Sequence, residues 1–198
     1  TILNDAPEPE GEAVLVSADF DASGDTEGFV YSDGVFGGDV PQALADGSWD
    51  SGALSIVLGG GENNRVNNMS GAWEIDVTLA NDMDVSLAFS YELLISGEYE
   101  GKEYSQVLVS LDGGAAITVD ELFGDGGGGP DLTTGLQDVT LDLGPLDAGT
   151  HTIAIGGYNN RKTWSDEITE VTIDDVTVTG TVSGAGLSET ELLATAGI

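Results

Sequence analysis

The 198-residue sequence has no cysteine, only four lysine and arginine residues, and a single histidine. Without cysteine, the chain can form neither a disulfide scaffold nor a thiolate metal site. A non-specific nucleic-acid binder neutralises phosphates with clustered basic side chains, so the scarcity of lysine and arginine excludes that class. No run of about 18 apolar residues occurs, and we therefore expect no membrane insertion.

The same scarcity bears on catalysis. His151 shares the parity of Ile153 and Ile155 near the start of a predicted strand, which favours a structural role and leaves no second histidine or cysteine for a nucleophilic set. Because acidic residues occur throughout the chain, composition does not exclude a pair of carboxylates that hydrolyses glycosides. No strand motif points to such a pair, however. We expect no enzymatic activity and assign no catalytic residue.

Acidic residues are abundant: 36 aspartate and glutamate residues give a formal net charge of −32. Three explanations stay open, namely adaptation to high salt, dependence on Ca²⁺, and a solvated surface without special meaning. We favour a saline, marine extracellular setting with bound Ca²⁺, which seeks carboxylate and carbonyl oxygens. Extracellular modules commonly bind this ion weakly, whereas cytosolic Ca²⁺ is too scarce to fill ordinary structural sites.

Apolar residues alternate with polar ones along most of the chain, which is typical of antiparallel strands with one buried face. About eight to ten such strands predict an all-β fold, an antiparallel two-sheet β-sandwich of jelly-roll type. The LDGG segment at 111–114 predicts a hairpin turn. The clearest alternations lie within 54–58, 73–79, 85–93, 107–111, 139–143 and 153–155.

The composition also suggests domain limits. Residues 1–11 hold two of the five prolines and little apolar content, which predicts a linker. The sandwich is expected to span 12–180, and 181–198 to be a C-terminal extension or the start of a next module. We expect a monomeric module within a larger chain.

Counting strand directions places four connections at one end of the sandwich: 59–70, 95–102, 120–135 and 159–167. Three of them contain all four basic residues, together with asparagine, tyrosine and tryptophan. Amides, guanidinium groups and aromatic faces suit sugars, and arginine adds bidentate recognition of carboxylate or sulfate. Alternatively, the cations pair with neighbouring carboxylates and only hold the loops. The candidate ligand-binding residues are Asn63, Asn64, Arg65, Tyr99, Lys102, Tyr158, Asn159, Asn160, Arg161 and Trp164.

A second set of candidates is acidic. In the strand at 168–178 the apolar parity changes between Ile173 and Val176, which predicts a β-bulge at Asp174 and Asp175. Terminal strands of sandwiches often pair, so these carboxylates are expected near the acidic segment 18–29. Ordinary turn carboxylates are the alternative. The candidate Ca²⁺ ligands are Asp19, Asp21, Asp50, Asp174 and Asp175.

Three segments carry a resemblance: ADFDASGDTEGFVYSD at 18–33, the stretch from MSGAWEIDV to VSLDG at 69–113, and LDAGTHTIAIGGYNNRKTWSDEITEVTIDDVTV at 146–178. Together they resemble a β-sandwich module repeated in large secreted proteins of marine bacteria, among them polysaccharide-degrading enzymes and RTX-type adhesins. The pattern is also similar to jelly-roll carbohydrate-binding modules and, more distantly, to MAM domains. The resemblance implies a structural Ca²⁺ held by Asp21, after Phe20, and by Asp174 or Asp175, after Ile173.

These observations lead to one expected function and one alternative. The first is a non-catalytic, Ca²⁺-stabilised carbohydrate-binding module that anchors a larger secreted enzyme or adhesin to a polysaccharide or cell-surface glycan, an anionic glycan included. The alternative is a structural or adhesive spacer of a large RTX-type surface adhesin, which binds protein or nothing.

Overall fold

Two antiparallel β-sheets packed face to face form the computed structural model, which describes residues 11–22, 24–38, 44–61 and 63–182. The predicted all-β, two-sheet fold is confirmed. Residues 1–10 of the predicted linker and 183–198 of the predicted extension lie outside the described residues. The strands are β1 (Ala13–Ala18), β2 (Val30–Asp33), β3 (Ala45–Asp50), β4 (Ala53–Gly59), β5 (Val66–Leu79), β6 (Met83–Ile95), β7 (Tyr104–Leu111), β8 (Ile117–Phe123), β9 (Leu132–Thr133), β10 (Gln137–Leu146), β11 (Gly149–Lys162) and β12 (Ile168–Val182).

The larger sheet has seven strands, with β10, β6, β12, β4 and β3 in order, while β1 also pairs with β12 and β9 with β6. The smaller sheet has five strands in the order β2, β5, β11, β7 and β8. Alternate side chains of both sheets face each other and form the apolar core; Leu54, Ile56 and Leu58 of β4 are all fully buried. Within the described residues, no helix is long and apolar enough to cross a membrane.

The predicted β-bulge lies in β12. Asp174 pairs with Ser90, and the next pair along the strand is Thr177 with Ala88, so the register shifts between them. Asp175 has a φ of 51°, a left-handed conformation that aspartate tolerates better than most residues. The extra residue turns Val176 inward again, and the apolar face of β12 continues into the core.

The four predicted connections meet at one end of the sandwich, here called the loop end. The Gly60 N–H donates to the Glu167 carbonyl at 2.9 Å, which joins the β4–β5 and β11–β12 connections. The Gly129 N–H donates to the Gly97 carbonyl at 3.1 Å, which joins the β8–β9 and β6–β7 connections. The direction count is thereby confirmed.

The opposite end, called the base, contains the predicted hairpin turn and His151. The Gly114 N–H donates to the Leu111 carbonyl at 2.8 Å, which closes the turn. His151 Nδ1 lies 2.8 Å from Asp112 Oδ2, and its Nε2 lies 2.9 Å from the Asp147 carbonyl. Because both ring nitrogens face acceptors, the protonated imidazolium satisfies both. The hydrogen bond to Asp112, followed by that to Asp147, raises the pKa of His151.

A slot between the sheets holds Tyr31. A Cβ atom at Gly47 would lie 2.1 Å from the Tyr31 ring, and one at Gly71 would lie 2.2 Å from its hydroxyl oxygen. The two glycines therefore make room for an aromatic side chain that also packs 5.4 Å, centroid to centroid, from Trp73. Both positions lie on strands that cannot move apart without losing core packing.

Replacing Gly47 by alanine should destabilise the chain by about 1–3 kcal/mol, because the new methyl group overlaps the Tyr31 ring and forces both sheets to shift. Urea unfolding of G47A measures this loss. Gly101→Ala is the matched control, since its nearest neighbour would be the Gly124 carbonyl oxygen at an ordinary 3.6 Å. Equal stability of the two variants would contradict the slot.

Replacing His151 by glutamine should cost more stability at pH 6 than at pH 9. A histidine whose pKa is raised by folding contributes fully below its unfolded pKa of about 6.5, and this contribution is lost as the pH rises through the folded pKa. Urea unfolding of H151Q and the natural chain at both pH values measures the difference. An equal loss at both would show that the imidazolium does not matter.

Candidate functional site

Inside the loop end, a layer of polar side chains covers the apolar core. Ser105 Oγ and Thr169 Oγ1 lie 2.6 Å apart, and the Tyr99 hydroxyl lies 3.2 Å from the same threonine oxygen. The Asn159 amide donates to Ser105 Oγ at 3.0 Å. All four residues are buried, and Asn159 Oδ1 has no partner among the described residues. Tyr99 and Asn159, both predicted ligand-binding residues, thus lie inside the molecule.

A charged layer lies above it, two residues nearer the loop end: Arg161 follows Asn159 on β11, whereas Glu103 and Glu167 immediately precede β7 and β12. Arg161 Nε donates to Glu103 Oε1 at 2.7 Å. Carboxylate oxygens of Glu100, Glu103 and Glu167 lie within 4.8 Å of one another, and the last two residues are fully buried. Arg161, a predicted ligand-binding residue, is thus engaged by a buried carboxylate.

Glu167 organises the β11–β12 connection. Its carboxylate accepts hydrogen bonds from the Thr163 N–H, from the Trp164 N–H at 3.0 Å and from the Thr163 hydroxyl at 3.1 Å. Thr163 Oγ1 also lies 3.4 Å from a Glu100 oxygen. A buried carboxylate with this many donors fixes the loop in one conformation.

Burial raises the pKa of Glu103, and the hydrogen bond with the Glu100 carboxyl raises it further. The same hydrogen bond lowers the pKa of Glu100. Arg161 acts in the opposite direction on Glu103, because its positive charge favours the carboxylate. Two carboxyl groups so close together titrate as one unit with separated steps.

The remaining predicted asparagines also bind the chain itself. Asn160 Oδ1 accepts from the Tyr104 N–H at 2.8 Å, and its amide donates to the Lys102 carbonyl at 3.0 Å. Asn63 Oδ1 accepts from the Ser165 N–H at 2.8 Å. Asn64 Oδ1 lies 3.4 Å from the amine of buried Lys162.

Five of the predicted residues are exposed at the loop end: Asn63, Asn64, Arg65, Lys102 and Trp164. Arg65 Nε donates to Asn67 Oδ1 at 3.0 Å, and the Trp164 side chain is 51% exposed. Of these exposed residues, Lys102 lines an open cavity of ≈ 510 Å³, here called the loop-end cavity, together with Glu100, Gly101, Arg161 and Thr163. The structure therefore divides the predicted set into two equal groups: five residues that are buried or half-buried, and five that are exposed.

A row of aromatic rings crosses the outer face of the five-stranded sheet next to the loop end. Phe123 ends β8, Tyr104 begins β7 and Tyr158 lies on β11. The ring centroids of Tyr104 lie 5.5 Å from those of Phe123 and 6.2 Å from those of Tyr158, with interplanar angles of 46° and 43°. We call these three residues the aromatic platform.

A groove of ≈ 250 Å³ runs along the aromatic platform. The β2–β3 connection forms one wall, where the Phe36 N–H donates to Ser70 Oγ at 3.2 Å and holds its ring beside Tyr158. The Tyr158 hydroxyl donates to Asn68 Oδ1 at 2.8 Å. The groove is lined by Phe36, Tyr104, Gln106, Leu108, Ala116, Thr118 and Tyr158.

Of the platform residues, only Tyr158 is among the predicted ligand-binding residues. Tyr104 and Tyr158 occupy outward positions directly before inward Ser105 and Asn159, which pair with each other across the sheet. From this shared parity, the sequence could have shown that Tyr104 and Tyr158 lie on the same outer face of the sheet. Phe123 and Phe36 join the group only through the register of β8 and the path of the β2–β3 connection.

Four of the five predicted Ca²⁺ ligands, Asp19, Asp21, Asp174 and Asp175, lie near the β12 bulge. β1 pairs with β12 after the bulge and β4 pairs with it before the bulge, so the ends of both strands face Asp174. Burial raises the pKa of Asp174, and the charges of Asp175, Asp21 and Asp19 raise it further. The β3–β4 turn reaches the same place, since a Cβ at Gly52 would lie 3.7 Å from Asp21 Oδ1.

This chemistry fits a hard divalent cation, because several carboxylates repel one another and supply only oxygen ligands. Asp50 lies at the end of β3, where the neighbouring Trp49 indole donates to the Phe20 carbonyl at 2.7 Å. The five predicted ligands do not bring three carboxylate oxygens within 4.8 Å. Across the described ranges, only Glu100, Glu103 and Glu167 do so.

No protein-family model matches this chain, and no curated protein matches it significantly. Similar solved structures include TmCBM61 in complex with β-1,4-galactotriose, at 12% identity and a TM-score of 0.43, covering 84% of this chain and 97% of that one. TmCBM27, known for specific mannan recognition, shows 13% identity and a TM-score of 0.46 over 87% and 99%. The xylan-binding module CBM15 shows 15% identity and a TM-score of 0.41 over 88% and 100%. At such low identity and TM-score, these structures do not identify this chain's ligand.

Proposed function

We propose that this chain is a non-catalytic carbohydrate-binding module whose aromatic platform stacks against the sugar rings of a polysaccharide. The observation that carries the proposal is the row of three rings on the outer face, beside a groove with amide and hydroxyl groups along it. The C–H faces of sugars pack on aromatic rings, while their hydroxyl groups exchange hydrogen bonds with groups such as Gln106 and Thr118.

The spacing of the rings indicates the form of the ligand. Steps of 5.5 and 6.2 Å between ring centroids are of the order of one sugar residue in an extended chain, so adjacent rings can serve adjacent sugars. The tilts of 46° and 43° prevent the three rings from lying flat on a crystalline surface. The aromatic platform therefore suits a single glycan chain whose successive sugars turn relative to each other.

The charges around the groove favour an uncharged glycan on the aromatic platform. The lining residues include no lysine or arginine, and Gln106 already donates to the carboxylate of Glu121 at 2.6 Å. An anionic polymer would approach a chain of formal charge −32. The exposed cation Lys102, which lines the loop-end cavity, and exposed Arg65 at the same end of the sandwich offer an anionic glycan a second place, and this proposal stands beside the first.

Replacing Tyr104 and Tyr158 separately by alanine should weaken binding of a neutral polysaccharide about five- to thirtyfold each, because each ring contributes roughly 1–2 kcal/mol of stacking and burial. Affinity electrophoresis in gels containing mannan, xylan, galactan or β-glucan measures the loss. Trp164→Ala is the matched control, an exposed aromatic residue outside the aromatic platform. Loss of binding in W164A and Arg65→Ala, with both tyrosine variants intact, would move the site to the exposed residues of the loop end.

Comparing one polysaccharide before and after oxidation of its primary alcohols to carboxylates tests the charge of the ligand. Weaker binding of the oxidised polymer, relieved by salt, would support the neutral glycan. Stronger binding of the oxidised polymer that is lost in R65A would support the anionic one.

We further propose that Ca²⁺ stabilises the module at the β12 bulge. The residues that would hold it are Asp19, Asp21, Asp50, Asp174 and Asp175, with backbone carbonyls completing the ligand shell. A bound cation would neutralise the repulsion at Asp174 and join the ends of β1 and β4 to β12. No role in binding the glycan follows from this position, because the bulge lies in the other sheet.

Adding CaCl₂ should raise the melting temperature by roughly 5–10 °C at a hundredfold excess over Kd, because the ion binds only the folded chain. Asp174→Asn should abolish this rise, whereas Glu170→Gln, an exposed residue on the same strand, should keep it. Thermal melts in EDTA, in CaCl₂ and in NaCl of matched ionic strength measure the effect. An equal rise in NaCl would show that screening of the acidic surface suffices.

The connections of the module support an anchoring role in a larger secreted protein. Ala13 at the start of β1 pairs with Gly180 near the end of β12, so both ends of the described sandwich leave at the base. The aromatic platform lies toward the loop end, facing away from them. The alternative is a structural or adhesive spacer of a surface adhesin. A spacer would retain no polysaccharide, and its tyrosine variants would lose nothing but stability.

A further inference from the structure

The turn that precedes the aromatic platform is closed by an unusual pair of acidic residues, Glu100 and Glu103, here called the acid pair. Two hydrogen bonds close this turn, one between backbone groups and one from the backbone to a side chain. The Glu103 N–H donates to the Glu100 carbonyl at 2.8 Å, and the Glu100 N–H donates to Glu103 Oε2 at 2.9 Å. Tyr104 of the aromatic platform follows immediately. The turn therefore leads directly into the strand that carries the central ring of the platform.

Three carboxyl groups meet around the acid pair, and one salt bridge reaches them among the described residues. Glu103 is fully buried, and Glu167, also fully buried, lies within 4.8 Å of both. Arg161 Nε contacts only one of these carboxylates, at 2.7 Å. The other charged or titratable groups that face the pair are Tyr99 and Lys102 on its own connection and Lys162 on β11, whose amine lies 3.4 Å from Asn64 Oδ1 and from the Trp164 carbonyl.

We propose that Glu100 and Glu103 share a single proton at neutral pH, and that this proton is part of the lock that closes the turn before Tyr104. The second carboxyl group then donates to the first instead of repelling it. Arg161 balances the remaining negative charge of the pair, and the Glu167 carboxylate is held by the donors of Thr163 and Trp164. The two catalytic carboxyl groups of aspartic proteases share one proton in the same way, and they are the precedent for this arrangement. The inference does not depend on the proposed glycan.

The shared proton has a defined effect on stability. In the unfolded chain both groups ionise with a pKa of about 4.3, so unfolding at neutral pH releases the proton. The shared proton therefore stabilises the folded chain fully below a pH of about 4.3. This stabilisation is lost as the pH rises from there through the folded pKa of the pair. Within this window, each pH unit makes unfolding about tenfold more favourable.

Replacing Glu100 by glutamine imitates, at every pH, the form of the pair in which Glu100 carries the shared proton. The new amide can donate to the Glu103 carboxylate, and its oxygen can accept from the Thr163 hydroxyl as Glu100 does now. Glutamine at position 103 would be a poorer choice, because Glu103 accepts from Arg161 on one oxygen and from the Glu100 N–H on the other.

Urea unfolding of the natural chain and of E100Q between pH 5 and pH 9 tests the proposal. We expect the natural chain to lose up to tenfold more in its folding equilibrium constant per pH unit than E100Q, and E100Q to be at least as stable at pH 8. Equal pH slopes would overturn the proposal. So would a comparable change of slope in Glu98→Gln, an exposed residue of the same connection, because the effect would then be general charge repulsion.

Infrared spectroscopy gives a second readout that does not require the variant to fold. The natural chain at neutral pH should show the C=O stretching band of a protonated carboxylic acid, which disappears on unfolding. Absence of that band in the folded natural chain would show that both groups are ionised, and would overturn the proposal.

Discussion

The position of β12 constrains nearly everything else in this molecule. It pairs with β6 along one side and with β4 and then β1 along the other, so three strands take their register from it. The bulge at Asp174 and Asp175 keeps both halves of β12 facing the core; with one residue fewer, Val176 and Val178 would turn to solvent. The same bulge places two carboxylates where β1 ends and β4 begins, so a packing requirement and an electrostatic one coincide at a single point of the backbone.

The loop end differs from the bulge, because charged side chains are buried there instead of lying at the surface. Above the apolar core lies a layer of hydroxyl and amide groups, and above that lies Arg161 with the carboxylates of Glu100, Glu103 and Glu167. Each buried polar group would be costly alone, yet together they satisfy most of one another's hydrogen bonds. The loops of this end are held by polar contacts more than by apolar packing, and their conformation therefore depends on how these groups are protonated.

Much of the fold could be predicted from the sequence, because period-two alternation identifies strands and a change of parity identifies a bulge. The convergence of four connections also followed, since antiparallel strands alternate in direction. The candidate site was less predictable. β11 extends to Lys162, so that Asn159 points inward among Ser105 and Thr169, and composition alone does not show which side chains of a polar run are buried. The aromatic platform depends on cross-strand register, which brings Phe123 beside Tyr104 although the two are far apart in the sequence.

The pairing of Ala13 with Gly180 has a mechanical consequence. A pulling force applied through the two ends of the sandwich acts at neighbouring points of one antiparallel pair, and it is directed across the hydrogen bonds between β1 and β12. Those hydrogen bonds then break one after another. In a pair of strands that is pulled along its length, many hydrogen bonds must break at once. A force applied through these two ends would therefore be borne at the base by this one pair of strands, and it would leave the loop end undisturbed.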